Sequence, residues 1–182
     1  MRIAIVGGGT AGLAAAALLH DAGHEIEVLE RFAAPTPVGA GLLLQPTGLA
    51  VLGALGLREG VEARGARVDR LEGVTATGRA VLDLRYADWR PGAFGVGVHR
   101  HILFDALWTA VAERGVTVRT ATTVERAPGG YDLVLGCDGA RSTLRGDGRA
   151  FGRRRMRPYP WGALWAIVGD PDERYAGVLH QT

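Results

Sequence analysis

Ile3-Ala-Ile-Val6 is an unbroken apolar run that stops at Gly7-Gly8-Gly9. A short apolar run bounded by glycine reads as a buried strand. An alanine-rich stretch from Ala11 to Ala22 follows and stops at Gly23, a good left-handed cap, so it reads as a helix. Ile26 to Leu29 is a second apolar strand, ending at Glu30. Residues 31–41 form a loop with Pro35, Pro37, Gly39 and Gly41, and Leu42 to Gln45 is a short extended piece. Thr47 is the expected N-cap of a helix with Leu49, Leu52 and Leu55 on its apolar side, ended by Gly56.

From Val68 to Leu84 the period shortens to two, around a Thr77-Gly78 turn, as in a β-hairpin. Val96 and Val98 lead into His99-Arg100. A helix over about 101–114 carries Ile102, Leu103, Ala106, Leu107, Ala110 and Val111 on one face and stops at Gly115. Val116 to Arg119 and Tyr131 to Leu135 read as strands. The second enters Gly136-Cys-Asp-Gly-Ala-Arg-Ser142. A last apolar strand is expected over Ala163 to Val168, after Pro158-Tyr-Pro-Trp161. No internal repeat is visible. The strand–helix–strand order predicts an α/β fold with a Rossmann-like domain. That domain is expected over 1–67 and 97–152, interrupted by part of a second, β-rich domain over 68–96 and 153–182.

The first strand, loop and helix carry G-x-G-x-x-G at Gly7, Gly9 and Gly12, and Glu30 stands eighteen positions after the last of these. This is the dinucleotide-binding pattern, and each part has a physical task. Gly7 permits the tight turn. Gly9 has no Cβ, so a pyrophosphate can approach the backbone. Gly12 lets helix and strand pack closely. Free N–H groups and the helix dipole favour the phosphates. Glu30 can accept hydrogen bonds from a ribose. An acid at that position suits a free 2′-hydroxyl, as in NAD or FAD, over a 2′-phosphate. The motif does not separate NAD from FAD.

The chain has 182 residues, enough for one good core or for one domain and part of another. All 21 basic residues are arginine, so no step can use a catalytic lysine. Net charge is +2. Arginines gather at Arg141, Arg145, Arg149, Arg153, Arg154, Arg155 and Arg157, as a solvated face or as a surface toward an anionic ligand. The stretch lacks interleaved aromatics, so nucleic acid is not an expected partner. The lone Cys137 excludes an internal disulfide, suits a reducing cytoplasm and reads as a small buried residue. The five histidines show no metal-ligand spacing, so no metal is expected. The longest apolar run, Leu13 to Leu19, is too short to span a membrane.

With the fingerprint and Glu30-Arg31, the Gly136–Ser142 segment resembles the group A flavoprotein aromatic hydroxylases, the para-hydroxybenzoate and salicylate hydroxylase family. In that family a strand enters G-x-D-G-x-x-S near the pyrophosphate of FAD. Gly41-Leu-Leu-Leu-Gln-Pro-Thr47 is similar to the family's G-x-x-L-x-P-N segment, with Thr for Asn. Arg100, Leu103 and Leu107 resemble its R-x-x-L-x-x-x-L helix start. The resemblance implies a GR2-type FAD-binding domain, with FAD as cofactor and NAD(P)H as co-substrate. It implies that Gly7, Gly9, Thr10, Ala11 and Gly12 cradle the pyrophosphate, that Glu30 holds the ribose and that Arg31 flanks the adenosine. Arg100 approaches the flavin's linking part, Val124 reaches the adenine through its backbone, and Asp138 with Gly139 lies near the pyrophosphate and ribityl. Trp161 and Trp165 are expected in a sheet core or a substrate pocket.

The implied activity is an FAD-dependent monooxygenase. NAD(P)H reduces the flavin, and a flavin C4a-hydroperoxide hydroxylates an aromatic or similarly electron-rich small molecule. The cofactor carries this chemistry, so no catalytic side chain is expected. The sequence departs from the family in two places. Residues 121–130 are too short for its β-meander, and its downstream Gly-Asp-Ala-Ala-His-like motif has no match. The chain is therefore expected to be an N-terminal half, partnered by a complementary C-terminal half or by an oligomer. The alternatives are a truncated, non-catalytic flavin- or nucleotide-binding module and, more weakly, an NAD-dependent dehydrogenase.

Overall fold

This computed structural model describes residues 1–36, 39–146, 159–162 and 164–182. The first elements are β1 (Arg2–Val6), α1 (Thr10–Asp21), β2 (Glu25–Leu29), β3 (Gly41–Leu44), α2 (Pro46–Ala54), α3 (Arg58–Glu62) and β4 (Ala66–Val74). Then come β5 (Ala80–Arg85), α4 (Tyr86–Trp89), β6 (Gly95–His99), α5 (Arg100–Glu113), β7 (Thr117–Arg119), β8 (Leu133–Gly136) and β9 (Gly177–Gln181). The contacts divide the chain into two units, Met1–Val38 with Phe104–Ala163 and Gly39–Leu103 with Leu164–Thr182.

The first unit holds a four-stranded parallel sheet in the order β7-β2-β1-β8. Alternation along β1 and β2 turns Ile3, Ile5, Ile26 and Val28 to one face. Ile3, Ile5 and Val28 are fully buried. Helix α1 packs on β1 and β2 and buries Gly12, Leu13, Ala16 and Ala17. The C-terminal ends of α1 and α5 are joined by a fork: Arg114 donates from Nε and Nη2 to the two carboxylate oxygens of Asp21, at 2.8 and 2.9 Å.

On the other face of this sheet a second apolar cluster forms. Ala4, Val6 and Leu29 pack under Leu144, with Val124, Tyr131 and Val134 around them. Burying Leu144 is worth roughly 1.5–3 kcal/mol. Glu27, opposite Ala4, is also buried. A buried carboxylate needs partners, and two hydrogen bonds and one ion pair meet it. The Tyr131 hydroxyl donates at 2.7 Å, Arg2 Nη2 at 3.3 Å, and the Arg119 guanidinium forms an ion pair. Residues 120–132 contain no strand, so among the described residues no β-meander covers this face.

The second unit holds an antiparallel sheet in the order β3-β6-β4-β5, with β9 added parallel to β4. The β4–β5 hairpin turns over Thr75–Arg79, closed by Thr75 N–H to Arg79 O at 2.8 Å, with Gly78 at φ +81°. Leu71 lies opposite both Leu84 and Leu179, which makes a leucine row across three strands. On the other face Arg70 forks onto Asp83 at 2.8 and 2.9 Å, and Glu72 meets His180 at 3.1 Å.

Several expectations change. Helix α2 begins at Pro46, with Gln45 rather than Thr47 at the N-cap; a proline fits the first helical position because its ring fixes φ and its missing N–H has no acceptor there. Helices α3 and α4 and strand β9 were not expected. Leu164 to Val168 form no strand, and Trp161, Trp165, Ile167 and Val168 are exposed rather than in a core. Strand geometry needs a neighbour to complete its ladder, and no described strand pairs with this segment. Residues 39–67, grouped in the sequence with the nucleotide-binding part, fall in the second unit, where β3 pairs with β6. Pro37, Arg149, Arg153, Arg154, Arg155, Arg157 and Ala163 lie outside the described residues.

Candidate cofactor-binding site

The turn after β1 is built on glycine for two different reasons. Gly7 donates its N–H to Leu29 O at 2.9 Å and adopts φ +108°, a conformation L side chains rarely take. A Cβ there would collide with the Cys137 carbonyl. A Cβ on Gly12 would collide with the Gly7 carbonyl oxygen. Gly7 and Gly12 are therefore required by the protein's own packing. Gly9 is different: its backbone is ordinary, and a Cβ would meet nothing within 4 Å.

Gly9 is also the N-cap of α1 and offers no capping side chain. The N–H groups of Thr10, Ala11 and Gly12 in the first turn thus lack intrahelical acceptors, which favours an anion. The residues present fit a pyrophosphate: an open approach at Gly9, beside free donors at the positive end of a twelve-residue helix.

Glu30 is buried, and both of its carboxylate oxygens are engaged. Oε2 accepts the Gly8 N–H at 2.6 Å, and Oε1 accepts the Phe32 N–H at 2.8 Å. Its backbone N–H donates to Arg119 O, and its carbonyl accepts the Thr122 N–H, both at 2.8 Å. Each carboxylate oxygen keeps a second lone pair for a further donor. Arg31 is exposed, with its guanidinium 4.5 Å from the centre of the Phe32 ring.

Strand β8 brings the second motif alongside the first. Cys137 donates its N–H to Val6 O at 2.8 Å, and its carbonyl is the wall that Gly7 turns against. Burial, then the charge of Asp138, pushes the Cys137 thiol up, which keeps it protonated and poorly nucleophilic. Asp138 is held by the turn that follows. Its Oδ2 accepts the Leu144 N–H at 3.2 Å and the Thr143 hydroxyl at 3.4 Å. Burial pushes its carboxyl up, but hydrogen bonds from the Ser142 hydroxyl and from nearby backbone N–H groups outweigh it and bring it below the ordinary value. Gly139 sits at φ +79°, and its carbonyl accepts Arg145 Nη2 at 2.6 Å. The Thr143 hydroxyl shares its one hydrogen between the Val124 carbonyl, at 2.9 Å, and the more distant Asp138 Oδ2, so Val124 and Asp138 are tied to one residue.

Gly7, Gly9, Thr10, Ala11, Gly12, Glu30, Arg31, Val124, Asp138 and Gly139 thus share the first unit. Arg100 belongs to the second. There it opens α5, donates its N–H to Ala40 O at 3.1 Å, and lays its guanidinium against Gly39. Two contributors escaped the sequence reading: Gly8 braces Glu30, and Thr143 joins Asp138 to Val124. Only a backbone N–H or a hydroxyl marks them. Arg145, one of the clustered arginines, fixes Gly139.

The profile of the FAD binding domain family matches residues 1–128. The chain belongs to this family. A curated relative of this FAD binding domain protein, 3-amino-4-hydroxybenzoate 2-monooxygenase of Streptomyces cremeus, is 35% identical over 162 residues. That match covers 80% of this chain and 41% of the relative. A second, the FAD-dependent monooxygenase pytG of Aspergillus terreus, is 33% identical and covers 80% of this chain and 49% of its own length. Among solved structures, the tetrameric form of 2-methyl-3-hydroxypyridine-5-carboxylic acid oxygenase superposes with a TM-score of 0.69 at 27% identity. It covers 80% of this chain and 41% of that one. The chain therefore spans less than half the length of these relatives, and its fold is that of FAD-dependent oxygenases. No described helix is long and apolar enough to cross a membrane.

Proposed function

We propose that this chain is the FAD-binding part of a cytoplasmic monooxygenase that uses NAD(P)H to hydroxylate a small aromatic molecule. The observation that carries the reading is Gly9. A Cβ there would meet no protein atom within 4 Å, whereas at Gly7 and Gly12 it would collide with the chain's own carbonyls. In a member of the FAD binding domain family, that opening is the place for a pyrophosphate.

In this reading the N–H groups of Thr10, Ala11 and Gly12 bind the pyrophosphate. Glu30 accepts from the ribose hydroxyls with the lone pairs left by Gly8 and Phe32, and Arg31 flanks the adenosine. Val124 meets the adenine through its N–H, since its carbonyl is engaged by Thr143. Asp138 and Gly139 orient the pyrophosphate and ribityl, and Arg100 approaches the flavin's linking part. Bound FAD supplies the redox and oxygen-activating chemistry. The chain's own residues bind and orient it, and none acts as a nucleophile or proton carrier. Two relatives are named for acting on aromatic carboxylic acids, and one is tetrameric; the substrate class and an oligomeric or complementary partner follow by similarity. Residues 68–96 and 153–182, in the same reading, belong to a substrate domain.

The test is the visible absorption spectrum of the purified protein mixed with FAD and desalted. Retained flavin, lost in Gly9→Val, is the expected result, and NADH and NADPH oxidation is measured next. A protein that retains no flavin and oxidises neither nucleotide overturns the proposal.

A further inference from the structure

The second unit carries a cleft that the flavin assignment does not use. It measures about 360 Å³ and lies between the first turn of α2 and the segment from Trp89 to Phe94 that leads into β6. Pro46, Thr47, Arg58, Trp89, Arg90 and Phe94 are among its lining residues. Two are arginines and none of the lining residues is acidic, so the cleft favours an anion.

The arginines are available in different ways. Arg58 gives its Nε to Glu62 at 2.6 Å and keeps its terminal N–H groups. Arg90 has no ion pair among the described residues. The aromatic walls differ as well. Phe94 already has cations near its ring, with Arg67 at 4.0 Å and Arg58 at 5.7 Å from its centre. Trp89 is 67% exposed and has no ring or cation partner among the described residues. An exposed indole and a guanidinium without an ion pair among the described residues line the same cleft, a combination that suits a planar ring carrying a carboxylate: the ring covers apolar surface and the guanidinium grips the acid. The volume lies in the range of small-molecule sites.

The cleft stands apart from Arg100 along the same two strands. His99, which precedes Arg100, pairs with Gly41, whereas the cleft begins beyond Leu44, which pairs with Val96. Three residue steps along the strand separate these ends, roughly 10 Å.

We propose that this cleft is a binding site for a small aromatic carboxylate, separate from the Arg100 end assigned to the flavin. It rests on residues of the second unit alone and does not depend on FAD being bound.

Benzoate is the probe, titrated into flavin-free protein and followed both by tryptophan fluorescence and by calorimetry. Saturable binding is expected. Arg90→Gln should weaken it about tenfold, the loss of one charge-assisted hydrogen bond, and Ala50→Phe should weaken it by filling the cleft. Arg100→Gln should leave it unchanged. Arg90 and Ala50 are exposed, so melting curves of these variants should match the parent. Absence of saturable binding up to about 10 mM benzoate, near the weak end of specific affinities, overturns the proposal. So does loss in Arg100→Gln instead of Arg90→Gln. Equal binding of cyclohexanecarboxylate or inorganic phosphate overturns the aromatic assignment. Flavin retention is a separate readout, so failure of the FAD reading is distinguishable from failure here.

Discussion

Glu30 accepts the Gly8 N–H at 2.6 Å, which joins the end of β2 to the turn after β1 across twenty-two positions of sequence. The acid of the nucleotide fingerprint therefore has a structural task before any ligand arrives. It holds the loop whose next residue, Gly9, is the open one. In Glu30→Ala two N–H groups, of Gly8 and Phe32, lose their acceptors. We expect the flavin-free protein to lose about 1–3 kcal/mol by urea unfolding, along with weaker FAD binding. An acid serving a ribose alone would leave flavin-free stability unchanged.

The glycines should separate by what they lose. Gly12→Ala sets a Cβ against the Gly7 carbonyl and should destabilise the fold by several kcal/mol or prevent folding. Gly9→Ser adds its atoms to open space and supplies a favourable N-cap hydroxyl. It should melt at or above the parent temperature while binding FAD at least about tenfold more weakly. Parallel melting curves and flavin titrations check both. A Gly9→Ser protein that binds FAD normally would remove the pyrophosphate from that position.

Tyr131→Phe removes one donor from buried Glu27 and leaves Arg2 and Arg119. A loss of about 1–2 kcal/mol is expected, with flavin affinity unchanged. The hydrogen bond to Glu27, then burial, raises the Tyr131 hydroxyl above its ordinary value. Its contribution is therefore complete below the unfolded tyrosine value and lost as pH rises through the folded one. Comparing parent and variant unfolding at alkaline pH should show their difference shrinking.

Asp138 has the opposite sign. The net effect of its environment lowers the carboxyl, so the fold favours the ionised form. That stability is present above the ordinary carboxylate value and lost as pH falls through the lower folded value. Urea unfolding between about pH 5 and pH 2 should show a steeper loss in the parent than in Asp138→Asn. Parallel curves would mean that the turn over 142–144 does not depend on the charge.

The nucleotide-binding half was legible because its signals are local. An apolar run ending in glycines, an alanine-rich helix and a second run ending in an acid each specify an element within a few residues. Four motifs in order then gave the family. The rest depended on partners distant in sequence. Gly177–Gln181 has only two strongly apolar residues, and it becomes a strand because β4 offers an edge. The richer apolar stretch after Ala163 finds no described edge and stays irregular. The use of the Val124 carbonyl by Thr143 could not be read either, since a backbone acceptor leaves no mark in sequence.

The wall behind Gly7 comes from Cys137, about three-quarters of the way along the chain. During synthesis the glycine motif leaves the ribosome more than a hundred residues before the surface it turns against. β1, α1 and β2 can gather early, but β1 must wait for β8 on its other side. A nascent chain stopped before Gly136 would carry the whole fingerprint and still lack a finished nest for a nucleotide.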